Sequence, residues 1–289
     1  LNSNRLATEA RKAKMPTLTQ PLTPEARGAS LGHERLAGRK ILIVGAGQQN
    51  YDIEDPPIGN GRAISRLLAR EGAHVAVADV DRAAVEETAR QVHAEGQAAV
   101  AIVADVGEPS EIERMVSDAR TGLDGIDGLV VNVGIAGGWG LEHTSAEDWD
   151  RVFQINVRAH YLTCKHALAA MGDGGAIVLT SSVAALMPAN EVVAYHSSKA
   201  ALDGLCMWLA KHAAARAIRV NLVVPGLIDT SLGRLASKAD PSRQEYPIPL
   251  GRQGTAWEVA HATSFLLSDE ASYITGHALL VDGGLQALR

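Results

Sequence analysis

The sequence predicts an α/β fold, a doubly wound seven-stranded parallel sheet in a single domain. Three observations predict it. From about residue 40 onwards, short apolar runs alternate with helical stretches of ten to twenty residues, the pattern of repeated βαβ units. The runs are continuous rather than alternating and are rich in Val, Ile and Ala, as strands covered on both faces require. The first run leads through a glycine-rich segment into a helix, which is how a doubly wound sheet opens an anion site.

The elements follow in order. Residues 1–14, LNSNRLATEARKAK, carry Arg5, Arg11, Lys12 and Lys14 against Glu9; they read as an added leader before a native start at Met15, with a transit peptide as the weaker reading. Residues 15–38 contain Pro16, Pro21 and Pro24 and little periodicity, so 1–38 is assigned as an N-terminal extension lying on or off the domain of residues 39–289. Seven strands are expected at ILIV (41–44), HVAVAD (74–79), AVAIVAD (99–105), GLVVNVG (128–134), AIVLTS (176–181), IRVNLVVPG (218–226) and HALLVDGG (277–284). Thr144-Ser145-Ala146-Glu147 and Thr255-Ala256-Trp257-Glu258 have the form of capping boxes at helix starts. The longest interval without a strand, 227–276, holds Pro241, Pro247 and Pro249; it is expected to form a lid, at about 227–250, followed by a helix.

Bulk properties narrow the function. A chain of 289 residues with 46% hydrophobic content supports a sizeable core. Net charge is −6 with acids and bases interspersed, so no basic face for nucleic acid is expected. Cys164 and Cys206 have neither the number nor the spacing of a disulfide framework or zinc site. No apolar run is long enough to span a bilayer and no secretory signal is present. A cytoplasmic protein without a membrane partner is expected.

The stretch VGAGQQNYDIEDPPIGNGRA, residues 44–63, resembles a phosphate-binding glycine loop pulled apart. Glycines let a pyrophosphate approach the backbone, and the helix N-terminus supplies free N–H groups. Read as G-x-G-x-x-G from Gly45, the pattern fails at Asn50. Asp79 closes the second strand 34 positions beyond Gly45, too far for the usual spacing of about 20 unless residues have been inserted.

These residues resemble the short-chain dehydrogenase/reductase family, whose glycine motif is T-G-x-x-x-G-x-G. Gly45 to Gly59 is fourteen positions against the family's four. The end of the motif, Ile58-Gly59-Asn60-Gly61-Arg62-Ala63, is otherwise intact. The resemblance runs from about residue 38 to 284 and implies a Rossmann-type fold binding a nicotinamide dinucleotide. It implies that Gly45, Gly47, Gly59, Asn60 and Gly61 face the phosphates. Asp105-Val106 resembles the family's adenine-contacting pair, and Asn132-Val133-Gly134 its N-A-G segment, with Val131 in place of a usual first asparagine. A carboxylate at Asp79 accepts hydrogen bonds from the adenosine ribose and repels a 2′-phosphate, while Val80 offers that phosphate no cation, so NAD is expected over NADP.

Tyr195-His196-Ser197-Ser198-Lys199 is Y-x-x-x-K, which on a helix puts phenol and ammonium on one face. The adjacent cation is expected to favour the phenolate and bring its proton within reach of neutral pH. The pair alone is not specific. Ser182, thirteen positions earlier at the end of the fifth strand, and Asn156 in FQINV also match the family. The resemblance implies that Tyr195 exchanges a proton with the substrate oxygen and Ser182 hydrogen-bonds that oxygen. Lys199 then holds the nicotinamide ribose and tunes the phenol, and Asn156 anchors a water that relays protons. Taken singly, these residues read equally as a surface lysine, a strand-end serine and a helix-interior asparagine. Pro225, Gly226, Ile228 and Thr230, in VVPGLIDTSL, resemble the segment that binds the carboxamide.

Trp139, Val183, Met187, Leu227 and Leu232 are candidate pocket walls. Arg234, Lys238 and Arg243 on the lid are candidates to admit an anionic group, though exposed lid charges are commonly just solvated. Cys164 with His160 and His166 lacks a companion cluster and reads as packing, so no metal is expected. The expected function is NAD-dependent interconversion of a secondary alcohol and a ketone by a homotetramer. Reduction of a 3-oxoacyl thioester and non-catalytic dinucleotide sensing are the alternatives. Asp52, Glu54 and Asp55 of the excursion are expected near the adenosine ribose or toward solvent, adding negative potential against a 2′-phosphate; a tolerated surface loop or subunit contact is the other reading.

Overall fold

A computed structural model describes residues 20–187 and 191–288; residues 1–14 and the expected start at Met15 lie outside the described residues. Seven parallel strands form one sheet: β1 (Lys40–Val44), β2 (His74–Asp79), β3 (Ala99–Val103), β4 (Gly128–Val131), β5 (Ala176–Thr180), β6 (Arg219–Pro225) and β9 (Ala278–Val281). Their order is β3-β2-β1-β4-β5-β6-β9. The chain therefore reverses its direction of travel across the sheet between β1 and β4, where Val44 is flanked by Ala78 on one side and Val131 on the other. That crevice, outside the carboxyl ends of the strands, is where such sheets take ligands.

Side chains alternate across the sheet, so one strand feeds two cores. Leu42 and Val44 of β1 pack with Ile112, Met115, Cys164 and Leu202 on one face, beneath helices α3 (Pro109–Leu123), α5 (Ala159–Ala170) and α6 (Val193–Ala213). Ile41 and Ile43 pack with Leu67, Leu68, Val85 and Leu266 on the other, beneath α1 (Asn60–Arg70), α2 (Arg82–Ala94) and α8 (Ala256–Leu267). Each such fully buried side chain contributes about 1.5–3 kcal/mol. Over the second face, Glu95 accepts from Arg66 Nε at 2.8 Å and Arg70 Nε at 2.7 Å. Both guanidinium groups lie over the Trp257 ring, at 5.3 and 4.9 Å from its centroid.

The described part of the extension lies on the domain. Ala26 and Leu36 are buried, the Thr255 hydroxyl donates to Ala26 O at 2.8 Å, and Arg70 Nη1 donates to Gly28 O at 2.7 Å.

The structure departs from the sequence expectations in three local places. β3, β4 and β9 end two to three residues earlier than the apolar runs suggest, because the final residues leave the ladder to make loop contacts; Asp105 Oδ1, for example, accepts from Gly107 N at 2.8 Å. The interval 227–276 is not free of strand. β7 (Ile228–Asp229) pairs in parallel with β8 (Gly254–Thr255), and two-residue strands are too short to leave a periodic signal. Thr255 and Glu258 do form a capping box, but Thr144 does not. Ser145 caps α4 (Ala146–Phe153), its Oγ accepting from Asp148 N, while the Thr144 hydroxyl donates to Gly140 O at 2.6 Å.

Candidate active site

The carboxyl ends of β1, β2, β4, β5 and β6 open onto one cavity of about 1290 Å3. This exceeds the roughly 300–1,000 Å3 of most small-molecule pockets, leaving room for a dinucleotide and a small substrate together. The glycine loop forms one end. Gly45 has φ +79°, and a Cβ there would lie 2.8 Å from the Val133 side chain. A Cβ on Gly61 would lie 1.9 Å from Gly45 O, so the helix can start this close to the loop only with glycine. Gly47 N donates to Asp79 Oδ2 at 2.8 Å, tying loop to strand end.

The excursion leaves this loop without opening it. Gln48 Oε1 accepts from Gly59 N at 2.9 Å, bridging its two ends, and Gly59 then serves as N-cap of α1. Asp52, Glu54 and Asp55 are exposed and do not line the cavity, whereas Tyr51 does. Burial, followed by the charge of Asp79, raises the Tyr51 pKa above its ordinary value. At the far end the Ser231 hydroxyl approaches Pro57 O at 3.5 Å, so the excursion spans from the Asp79 side to the lid helix α7 (Ser231–Ala239).

Gly45, Gly47, Gly59, Asn60, Gly61, Asp79, Val80, Asp105, Val106, Asn132 and Gly134 all line this cavity. So do Pro225, Gly226, Ile228 and Thr230 from the other side. Asn132 Nδ2 donates to Gly45 O at 3.0 Å, and Thr230 Oγ1 accepts from Gly233 N at 3.0 Å, capping α7.

Ser182 follows β5, its Oγ accepting from Ala184 N at 3.2 Å, which fixes the hydroxyl at the cavity wall. Tyr195 lies on α6 and lines the cavity with Ser182, whose hydroxyl favours the phenolate. One turn on, Lys199 Nζ stands 5.8 Å from the phenol ring centroid and donates to Thr180 O at 2.9 Å. Burial lowers Lys199 to about 8. The phenol does not behave as its spacing to Lys199 predicts. Its pKa is raised by burial, which outweighs the Ser182 hydrogen bond and the charge of Arg243, both of which favour the phenolate. Arg243 from the lid thus joins Lys199 as a second cation near the phenol.

Asn156 does not line the cavity. It is fully buried in a π-helical turn, Gln154–Arg158. Its amide donates to Ile135 O and Ser198 Oγ, each at 2.9 Å, and its Oδ1 accepts from Ile135 N at 2.9 Å. It braces the loop after β4 against the helix carrying Tyr195.

All five expected wall residues, Trp139, Val183, Met187, Leu227 and Leu232, line the cavity, as does Arg243. Arg234 and Lys238 do not line it; Arg234 is paired with Asp229 at 2.7 Å and Lys238 is exposed. Sequence reasoning did not single out Tyr51, Gln48, Thr180 or the lid residues Leu235 and Tyr246. None carries a motif spacing, although the position of Gln48 at the mouth of an inserted segment was a usable signal. His160 is buried and held neutral, lowered to about 3 chiefly by burial, and burial pushes Cys164 up to about 12. Among the described residues no group of three His, Cys, Asp or Glu could hold a metal ion.

A family model described as enoyl-(acyl carrier protein) reductase matches residues 58–286, beginning where the excursion ends. The chain is 36% identical over 262 residues to 2-(S)-hydroxypropyl-CoM dehydrogenase 3 of Xanthobacter autotrophicus, covering 88% of this chain and 99% of that one. A short-chain dehydrogenase/reductase from Burkholderia xenovorans superposes with a TM-score of 0.81 at 35% identity, covering 88% and 99% of the two chains. A short-chain dehydrogenase from Burkholderia cenocepacia, solved in complex with NADP, superposes with a TM-score of 0.79 at 32% identity over 88% of this chain and all of that one.

Proposed function

The chain belongs to the short-chain dehydrogenase/reductase family, and we propose that it interconverts a secondary alcohol and a ketone with NAD, using Tyr195 as general acid and base. The observation that carries the reading is the convergence of Ser182, Tyr195 and Lys199 on the wall of one cavity that also takes in the glycine loop. The residues present fit a dinucleotide. Gly45 and Gly61 leave a cradle that any Cβ would obstruct, Asp79 stands at the β2 end, and the Lys199 ammonium keeps donors beyond the one it gives Thr180. When bound, the nicotinamide supplies or accepts the hydride.

The protein's own residues then do the following. Gly45, Gly47, Gly59, Asn60 and Gly61 hold the pyrophosphate at the start of α1. Asp79, beside Val80, takes the adenosine ribose, and Asp105 and Val106 border the adenine. Asn132, Gly134, Pro225, Gly226, Ile228 and Thr230 set the nicotinamide, and Lys199 holds its ribose. Ser182 donates to the substrate oxygen. Tyr195 gives that oxygen its proton during reduction and takes it back during oxidation, from a site where burial keeps the phenol protonated at neutral pH. Asn156 positions the helix behind this pair.

Asp79 supports NAD over NADP by its charge, while the NADP-bound structural neighbour favours the opposite preference. Among the described residues no helix is long and apolar enough to cross a membrane, and a cytoplasmic homotetramer is part of the proposal, checked by light scattering. The deciding experiment is a panel of secondary alcohols and ketones followed by nicotinamide absorbance with NAD(H) and NADP(H). Turnover of ketones with NADH above NADPH bears the reading out; absence of turnover with either dinucleotide overturns it.

A further inference from the structure

Arg243 lies in the short 3-10 turn Pro241–Glu245, directly after α7. It lines the same cavity as Ser182, Tyr195, Met187 and Leu232. Its Nε is buried and has no hydrogen-bond partner. Burial weighs against its charge, offset in part by attraction to Tyr195, Asp240 and Tyr246. A guanidinium does not shed its proton in proteins, so the lid keeps a cation with an unsatisfied donor in the cavity that Met187, Leu232 and Leu235 also line. Arg243 is half-buried, and a buried donor left without a partner is costly. The cheapest pairing is a ligand that brings a planar oxyanion, because the guanidinium fork matches a carboxylate with two parallel N–H···O bonds.

We propose that Arg243 is the specificity residue for substrate, binding the carboxylate of a hydroxy acid or of the corresponding oxo acid. The inference rests on the reading of the cavity as a dehydrogenase site. The two other lid cations do not compete for this role, because Arg234 is engaged by Asp229 and Lys238 does not line the cavity. Of the acidic groups near Arg243, Asp240 and Tyr246 come from its own segment and Tyr195 from α6. Because Arg243, Tyr195 and Ser182 line one cavity, a carboxylate held by the guanidinium would leave the carbonyl carbon to face the phenol and the serine hydroxyl.

The test uses matched pairs in the full-length enzyme: 3-oxobutanoate against 2-pentanone and 4-oxopentanoate against 2-hexanone, with wild type, Arg243→Met and Arg243→Lys. The anionic member of a pair is expected to have a kcat/KM about tenfold or more above its neutral partner, carried by KM. Arg243→Met should abolish the preference and Arg243→Lys should restore part of it. Thermal melts and NADH titrations confirm that each variant is folded. If Arg243→Met lowers both members of a pair equally, or shifts the pH profile of both equally, Arg243 acts on Tyr195 instead and the inference is overturned. If no ketone in the panel turns over, the dehydrogenase reading fails separately. Calorimetry of 4-oxopentanoate against 2-hexanone on the NADH complex then decides the inference: tighter binding of the anion, lost in Arg243→Met, upholds it, and equal binding refutes it.

Discussion

Gln48 and Gly59 lie eleven positions apart, yet the Gln48 side chain accepts the Gly59 N–H at 2.9 Å and so closes the glycine loop across the excursion. Gln48→Ala removes one hydrogen bond worth about 1 kcal/mol. NADH dissociation constants measured by fluorescence are expected to rise by up to about fivefold, with the melting temperature lowered by about 2–4 °C. An unaltered affinity would mark the two ends of the excursion as independently held.

The three carboxylates of the excursion are exposed and outside the cavity, and exposed charges act weakly through salt. A D52N/E54Q/D55N variant is expected to keep the wild-type NADH/NADPH ratio of kcat/KM to within about twofold even at low ionic strength. This is a narrower role than the reinforcing potential expected from sequence. A larger shift would restore that role.

Asp79 differs, because it lines the cavity and also holds Gly47 N. Asp79→Ala combined with Val80→Arg should move the same ratio toward NADPH by about tenfold or more. It should also weaken NADH binding outright, since the glycine loop loses its anchor. Steady-state kinetics with both dinucleotides separate the two effects, and unchanged selectivity would place ribose recognition elsewhere.

Tyr195→Phe deletes the proton donor and little volume, so turnover should fall by about 10²–10⁴-fold while NADH binding stays nearly intact. Because burial raises the phenol pKa, the wild-type rate of ketone reduction should not decline at neutral pH through loss of this proton. The Lys199 ammonium, lowered to about 8, has its charge in full below that pH and loses it above. NADH affinity is therefore expected to weaken above about pH 8, and Lys199→Met should abolish that transition.

Glu95 tests the scaffold. Burial raises its pKa, but the hydrogen bonds and charges of Arg70 and Arg66 prevail and hold it below the ordinary value. A carboxylate depressed on folding stabilises above its unfolded pKa and loses that contribution as pH falls through the folded one. Glu95→Gln should cost about 2 kcal/mol at pH 7, read by chemical denaturation. The gap to wild type should close as pH drops from about 5 toward 3.

The sequence by itself determined the strand runs and the parallel sheet, because continuous Val, Ile and Ala runs and interposed helices are local patterns that repeat; the strand order and its switch point came from the structure. The helix period put Tyr195 and Lys199 on one face, while Ser182 and the reading of the split glycine motif came from the family resemblance. Only the tertiary structure decided what holds the two ends of the excursion together and which lid cation faces the cavity. Gln48, Arg243 and Tyr51 have no spacing that announces them. Their roles arise from loops whose course is set by contacts with distant elements: the Gly59 amide, the lid turn after α7, and the burial of Arg243 Nε without a partner.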